Sequence, residues 1–225
     1  FLLPSFRCCC GYRLWRCLHL RVVLAACNSA CVSAPCSPEA SPRIARMSTA
    51  AASTEREWLL DISKRGLQDK DVEDACEQKI LGRRGAKQDE LPFQEIDASQ
   101  NQLGWRGCKT LVDLCLKCKD LRVVKLFKNE LTDKAVPALC KLAEECPGLE
   151  QLHLSYNRLS GDGASQIIAA AARGRAGTKG DQKDRRDKGF TLWLRLEHNK
   201  IQRPAELLEG LWAKKVDFCE ARDTQ

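Results

Sequence analysis

With 225 residues, 44% of them hydrophobic and 30% charged, the chain has the make-up of a globular protein with room for one or two domains. No run of about 18 apolar residues occurs, so no segment is read as crossing a bilayer. The formal charge of +7 is uneven: residues 1–46 hold six arginines and one acid, which leaves 31 basic and 29 acidic side chains elsewhere, so charge alone does not point to a nucleic-acid partner.

The first 46 residues also hold seven of the fourteen cysteines, and the single methionine, Met47, opens MSTAAASTEREW, which resembles an ordinary N-terminus. Residues 1–46 are therefore read as a disordered leader outside the fold. They are either translated upstream sequence or a targeting segment, of the Arg-containing, acid-poor transit kind or a weak signal peptide around Val22–Ala34. Residues 47–92 are expected to form an N-terminal helical cap. Within it, EWLLDISKRGL (Glu57–Leu67) followed by DKDVEDACEQKIL reads as a degenerate strand–helix unit with Arg65 at a position that later units fill with Asn.

From residue 93 the chain repeats. FQEIDASQNQL (Phe93–Leu103), LRVVKLFKNEL (Leu121–Leu131) and LEQLHLSYNRL (Leu149–Leu159) begin at evenly spaced positions, and TLWLRLEHNKI (Thr191–Ile201) is a fourth copy. Each fits L-x-x-L-x-L-x-x-N-x-L, with Ala98 and Thr191 replacing one apolar position apiece. Six positions after each Asn stands a small residue (Gly107, Ala135, Gly163, Ala205), expected where a helix approaches the sheet. Ten after the first three stand Leu111, Leu139 and Ile167. A period of this kind must be sought before other signals, because it dictates the whole architecture. Over residues 93–219 the pattern resembles the ribonuclease-inhibitor-like class of leucine-rich repeats. The resemblance implies an α/β solenoid, curved, with short parallel strands on its concave face and helices on its convex face. It implies a fold and no particular activity.

The residues support that expectation independently. Apolar side chains alternate at Val124 and Leu126 and at Leu152 and Leu154, as in a strand with one buried face. Ala135, Leu139, Leu142, Ala143 and Cys146 fall on one side of a helix at spacings of three and four. Asn101, Asn129, Asn157 and Asn199 stand where the chain leaves each strand, and a buried amide there is expected to bond the backbone of neighbouring units as a structural ladder. The third-to-fourth interval, from Leu149 to Thr191, is longer than the others. Its surplus lies in RGRAGTKGDQKDRRDKG (Arg173–Gly189), with four Gly, seven basic and three acidic residues, and is read as a loop insertion. Downstream, Ala205–Trp212 reads as a helix and Val216–Cys219 as a last short strand.

Function is sought on the concave face. One exposed column is Asp97, Lys125, His153, Arg195; the next is Ser99, Phe127, Ser155, Glu197; a third is Gln100, Lys128, Tyr156, His198; and Val123 and Trp193 share a fourth. The expected partner-binding residues are Lys125, Phe127, Lys128, His153, Tyr156, Trp193, Arg195 and His198, with Phe127, Tyr156 and Trp193 gathered on one side as the aromatic anchors of a protein interface. Strands ~4.8 Å apart and ~17 Å long give such a face about 300–500 Å², against ~800 Å² per partner in a standard interface. The rims are then needed, or a short partner segment. The alternative partner is RNA or single-stranded nucleic acid, held by the basic loop and the concave aromatics, and a structural segment of a larger protein is a third reading.

Cys115 and Cys118 form a C-x-x-C pair, but no second pair stands at zinc-ligand spacing. Cys118 and Cys146 share a repeat column in successive units, which suits core packing. Seven cysteines after Met47 suggest a reduced, cytoplasmic or nuclear protein, unless residues 1–46 are a genuine leader. His153 and His198 share the concave face with no cysteine, and Asp97 is two strands from His153, so no nucleophile–base set is legible. Neither is a P-loop, H-E-x-x-H or G-x-S-x-G motif. No catalysis, metal or cofactor is expected.

Overall fold

The computed structural model describes residues 20–24, 58–81, 91–176 and 191–220. Its strands are β1 (Leu20–Val23), β2 (Leu59–Asp61), β3 (Glu95–Asp97), β4 (Val123–Lys125), β5 (Gln151–His153), β6 (Leu192–Arg195) and β7 (Cys219–Glu220). Helices α1 (Asp71–Leu81), α2 (Trp105–Cys115), α3 (Val136–Glu145), α4 (Gly161–Ala176) and α5 (Pro204–Ala213) alternate with β2–β7, and a 3-10 turn, Asp133–Ala135, leads into α3. All strands lie in one parallel sheet of order β2-β3-β4-β5-β6-β1-β7. The fold is therefore α/β with a single all-parallel sheet.

Register in this sheet follows the sequence repeat. Leu59, Glu95, Val123, Gln151, Trp193 and Arg21 lie side by side in one row. Two residues on, Asp61, Asp97, Lys125, His153, Arg195 and Val23 form another. Between these rows, Leu60, Ile96, Val124, Leu152, Leu194 and Val22 point into the core and are buried. Because a one-residue slip would move every apolar side chain to the other face, burial of this row pins the pairing.

The helices cover that buried face with apolar stripes. α2 buries Cys108, Leu111, Val112 and Cys115, and α4 buries Ala164, Ile167, Ile168 and Ala171, both at spacings of three, four and seven. The column of small residues serves contact between successive units. A Cβ on Gly163 would lie 2.5 Å from Asp133 Oδ1 and 2.9 Å from Val136 Cγ2, both in the preceding unit. The expectation that this position lets a helix approach the sheet is thus corrected: the close neighbour is the start of the preceding helix.

Two further sequence expectations are revised. The disordered leader expected over residues 1–46 is not wholly outside the fold: Leu20–Val23 is a strand of the sheet, and Leu20, Val22, Val23 and Leu24 are buried. Unpaired backbone groups of β6 need partners, and β1 meets them without carrying the repeat. The loop insertion expected over Arg173–Gly189 begins later, because Arg173–Ala176 continue α4 for a last turn. That turn is anchored by contacts a flexible loop would lack. Arg175 is buried and donates from Nη2 to the Leu149 carbonyl at 2.8 Å and from Nη1 to the Ala143 and Ala171 carbonyls at 3.2 Å each. A Cβ on Gly174 would stand 2.7 Å from Glu144 Cα, so only glycine lets α4 lie this close to the end of α3. The remainder of the insertion, 177–189, lies outside the described residues. The last strand, expected at Val216–Cys219, is observed at Cys219–Glu220.

Candidate functional site

Each strand leaves the sheet through the same turn, and that turn decides what is displayed. Lys64, Gln100, Lys128, Tyr156 and His198 all have φ between 53° and 58°, the left-handed region that costs non-glycine residues roughly 1–2 kcal/mol. Bonds from the amides of Lys64, Gln100, Lys128 and Tyr156 to the next unit hold those four there. Lys128 N donates to Ser155 O and Tyr156 N to Glu197 O, both at 3.0 Å. Beside them run the asparagines. Asn157 Nδ2 donates to the Leu126 and Leu154 carbonyls at 3.0 Å, and its Oδ1 accepts from Leu131 N at 3.1 Å. Asn129 and Asn101 repeat the same bonds one and two units earlier, and Asn199 one unit later. The strained residue next to each Asn is thereby held in one orientation from unit to unit.

The consequence is a stack along the ends of the strands. Tyr156 and His198 lie ring on ring, with centroids 4.1 Å apart and planes 20° from parallel. Lys128 Nζ sits 5.6 Å from the Tyr156 centroid, a cation–π distance. Tyr156 is 48% exposed, one of the few large rings that open to solvent. Lys128, Tyr156 and His198 are thus brought together.

The strand rows carry a charge pattern on the face turned away from the helices. Lys125 Nζ reaches Glu95 Oε1 at 2.5 Å and Asp97 Oδ2 at 3.8 Å, while Asp97 Oδ1 accepts from the Ser99 hydroxyl at 2.6 Å. His153 Nε2 lies 3.1 Å from Gln151 Oε1. Arg195 donates from Nε and Nη2 to Glu197 Oε1 at 2.7 and 2.6 Å. Glu197 is only 4% exposed, and its Oε2 makes no hydrogen bond among the described residues.

The expected aromatic trio does not assemble. Trp193 lies in the row near the strand starts, where the Arg21 guanidinium stands 6.0 Å from its ring centroid. Tyr156 lies at the strand exits, and Phe127 is half-buried between them. Five positions along the motif separate the Trp193 row from the Tyr156 row, so sharing a face did not bring the rings together. The column read as exposed through Ser99, Phe127, Ser155 and Glu197 is also corrected. Ser99, Ser155 and Glu197 are buried, because the chain is already curling into the turn at that position.

A feature the sequence reading missed adjoins the stack. A groove of about 1060 Å³ runs along the rim where the strands turn into helices, lined on its basic side by Lys70, Arg106, Lys134, Arg158 and Lys200. Trp105, 38% exposed, stands in it with the Arg106 guanidinium 5.3 Å from its ring centroid. Its acids are engaged: Asp69 Oδ1 accepts from Gly104 N at 2.6 Å, Asp133 Oδ1 from Ser160 N at 2.8 Å, and Glu130 pairs with Arg158 at 3.2 Å. The signal was a basic residue five positions after the Asn column in three successive units (Lys70, counted from Arg65, then Arg106 and Lys134), and that column lay outside the strand motif.

The cysteines are placed in the helix layer. Burial pushes the Cys76 and Cys146 thiols up to about 11 and those of Cys108 and Cys118 to about 12, and it raises Cys115 as well. At neutral pH these groups are thiols, which are poor nucleophiles and poor metal ligands. Among the described residues no group of three or more His, Cys, Asp or Glu is placed to hold a metal ion, and no helix is long and apolar enough to cross a membrane. No protein-family model and no curated protein matches the chain.

Proposed function

We propose that the chain is a leucine-rich-repeat solenoid of the ribonuclease-inhibitor-like class and that it recognises a protein partner through its concave sheet face and the adjoining rim. In this reading it is a binding module rather than an enzyme, and it works in the cytoplasm or nucleus, where thiols stay reduced. One observation carries the proposal. The Lys128–Tyr156–His198 stack is held in a strained backbone conformation by a bonding pattern repeated from unit to unit, and it presents an exposed tyrosine at the junction of face and groove. A rigid tyrosine loses little side-chain freedom when a partner covers it, and such residues dominate interface energetics. Lys125, His153 and Arg195, each oriented by a polar neighbour, set the direction of approach, and Trp193 marks the far border of the face.

The test is capture from native extract with the full chain carrying a photo-crosslinker at Lys128. The partner is then re-bound to Tyr156→Ala, His198→Ala and the helix-surface control Lys141→Ala. Expected is a crosslinked protein whose affinity falls at least ten-fold with Tyr156→Ala and is unchanged with Lys141→Ala. Crosslinks to RNA alone, lost after nuclease treatment, would overturn the reading in favour of nucleic acid.

A further inference from the structure

Consecutive strands of this sheet lie side by side from β2 to β6, each pair joined through one helix. The next pair breaks the rule. β6, α5 and β7 follow one another in the chain, yet β1 stands between β6 and β7. It pairs with β6 over Leu20–Val23 and with β7 through Arg21 and Val22, parallel to both, and Leu196 N donates to Val23 O at 2.8 Å. β1 is no neighbour of β6 in sequence. It is joined instead to β2, at the opposite end of the sheet, by residues 25–57. Five inter-strand steps separate β1 from β2, about 24 Å at ~4.8 Å per step.

The slot is specific in what it accepts. It takes an extended five-residue segment whose first, third and fifth side chains enter the core, as Leu20, Val22 and Leu24 do. The fourth, Val23, is also fully buried, where the other strands place charged or polar residues at the same register. The second position carries Arg21, which lies over Trp193. Backbone pairing supplies attraction on both edges and side-chain pockets supply selectivity, the logic of recognition by strand addition.

We propose that the gap between β6 and β7 is a strand-acceptor site that can take residues 20–24 of a second copy of this chain in exchange for the chain's own. This does not rest on the concave-face reading. A strand supplied by a second copy makes the same ladder and buries the same side chains as one supplied in cis, so the tether decides between them. Residues 25–57 are enough chain to span the gap, so the connection holds its strand at a raised effective concentration, and the chain keeps its own strand in dilute solution. A tether too short to span it forces exchange.

Deleting residues 27–55 leaves four connecting residues, which reach at most about 18 Å, less than the gap. Light scattering on this variant is expected to give twice the mass of the parent, with the melting temperature of the parent retained. A shortened chain that stays monomeric and melts like the parent overturns the proposal. If the shortened chain does not fold, the decision comes from the full-length Val22→Asp chain, whose own strand is disabled, mixed with a fluorescent peptide of residues 18–26. Saturable binding that raises the melting temperature supports the acceptor site, provided a Val22→Asp peptide does neither. Failure of the parent peptide to raise it up to millimolar concentration overturns it.

Discussion

The stretch from β3 to β5 and the end at β6–β1–β7 solve one problem by different means. Each strand must pair both edges and each turn must bury its polar backbone. Between β3 and β5, identical neighbours do this: Asn101, Asn129 and Asn157 each tie their own turn to the preceding one, and the constant period brings a partner of matching shape each time. After Asn199, at the exit of β6, the asparagine ladder has no further member among the described residues. There a strand from far upstream supplies the pairing with main-chain bonds and four buried apolar side chains. Periodicity is one route to a satisfied sheet, and a non-repeating segment of the right shape is another.

The largest expected effect tests the periodic side. Asn157→Leu leaves the Leu131 amide without its partner in a buried turn and takes one of two donors from each of the Leu126 and Leu154 carbonyls, which keep Asn129 Nδ2 and Asn199 Nδ2. The orphaned amide costs roughly 1–3 kcal/mol and each lost carbonyl bond about 1 kcal/mol, so the loss in a urea melt should be about 4 kcal/mol. Arg65→Leu, at the equivalent but exposed position of the first unit, should change stability by less than about 0.5 kcal/mol. Equal effects at the two sites would show that position in the repeat, not bonding, sets the cost.

The next effect lies at the irregular end. Arg195→Met removes both donors from Glu197 Oε1 and leaves a buried carboxylate. Breaking a fully buried pair costs about 3–5 kcal/mol, and Arg195 is partly exposed, so about 3 kcal/mol is expected. Adding Glu197→Gln should recover most of it. A double variant as unstable as the single one would place the loss elsewhere.

Legibility followed the same divide. Repeat units predicted β3, β4, β5 and β6, and the helical spacing placed α3 closely, because one local pattern recurs and each copy corroborates the others. β1 was invisible: LRVVL has no period, Arg21 interrupts its apolar run, and its partner β6 lies near the other end of the chain. The face was legible as a set of columns, and Lys128, Tyr156 and His198 do meet. The motif gave no warning that a left-handed turn would separate that column from Trp193, or would bury Ser99, Ser155 and Glu197. Alternation predicts which side of a strand a residue faces, and the curl of the chain at the strand end overrides it.

Val22→Ala asks whether the upstream strand is part of the cooperative fold. Val22 is fully buried, and trimming it should cost about 2 kcal/mol of global stability. Leu152→Ala, its counterpart in β5, should cost somewhat more, because a larger cavity remains. A chemical melt in which Val22→Ala matches the parent while Leu152→Ala is destabilised would mean that β1 detaches before the rest unfolds.

The smallest effect concerns the charges of the regular face. Lys125 reaches Glu95 and Asp97 across neighbouring strands, and the three side chains remain 28%, 21% and 19% exposed. Water therefore screens the ions both before and after the cation is removed. Two acids left close together repel, but at this exposure the net change from Lys125→Met is about 0.5 kcal/mol, the range of partly solvated pairs. Screening gives the effect a signature that Arg195→Met lacks: the loss should shrink towards zero as salt rises from about 0.05 to about 0.5 M, where the screening length falls to a few ångströms. The Arg195→Met loss should persist, because Glu197 is withdrawn from the ionic atmosphere. Urea melts of both variants at the two salt concentrations separate the cases. A Lys125→Met loss above about 2 kcal/mol, well beyond what a partly solvated pair contributes, and indifferent to salt would make this row part of the structural framework. Its lysine would then no longer be available to steer a partner.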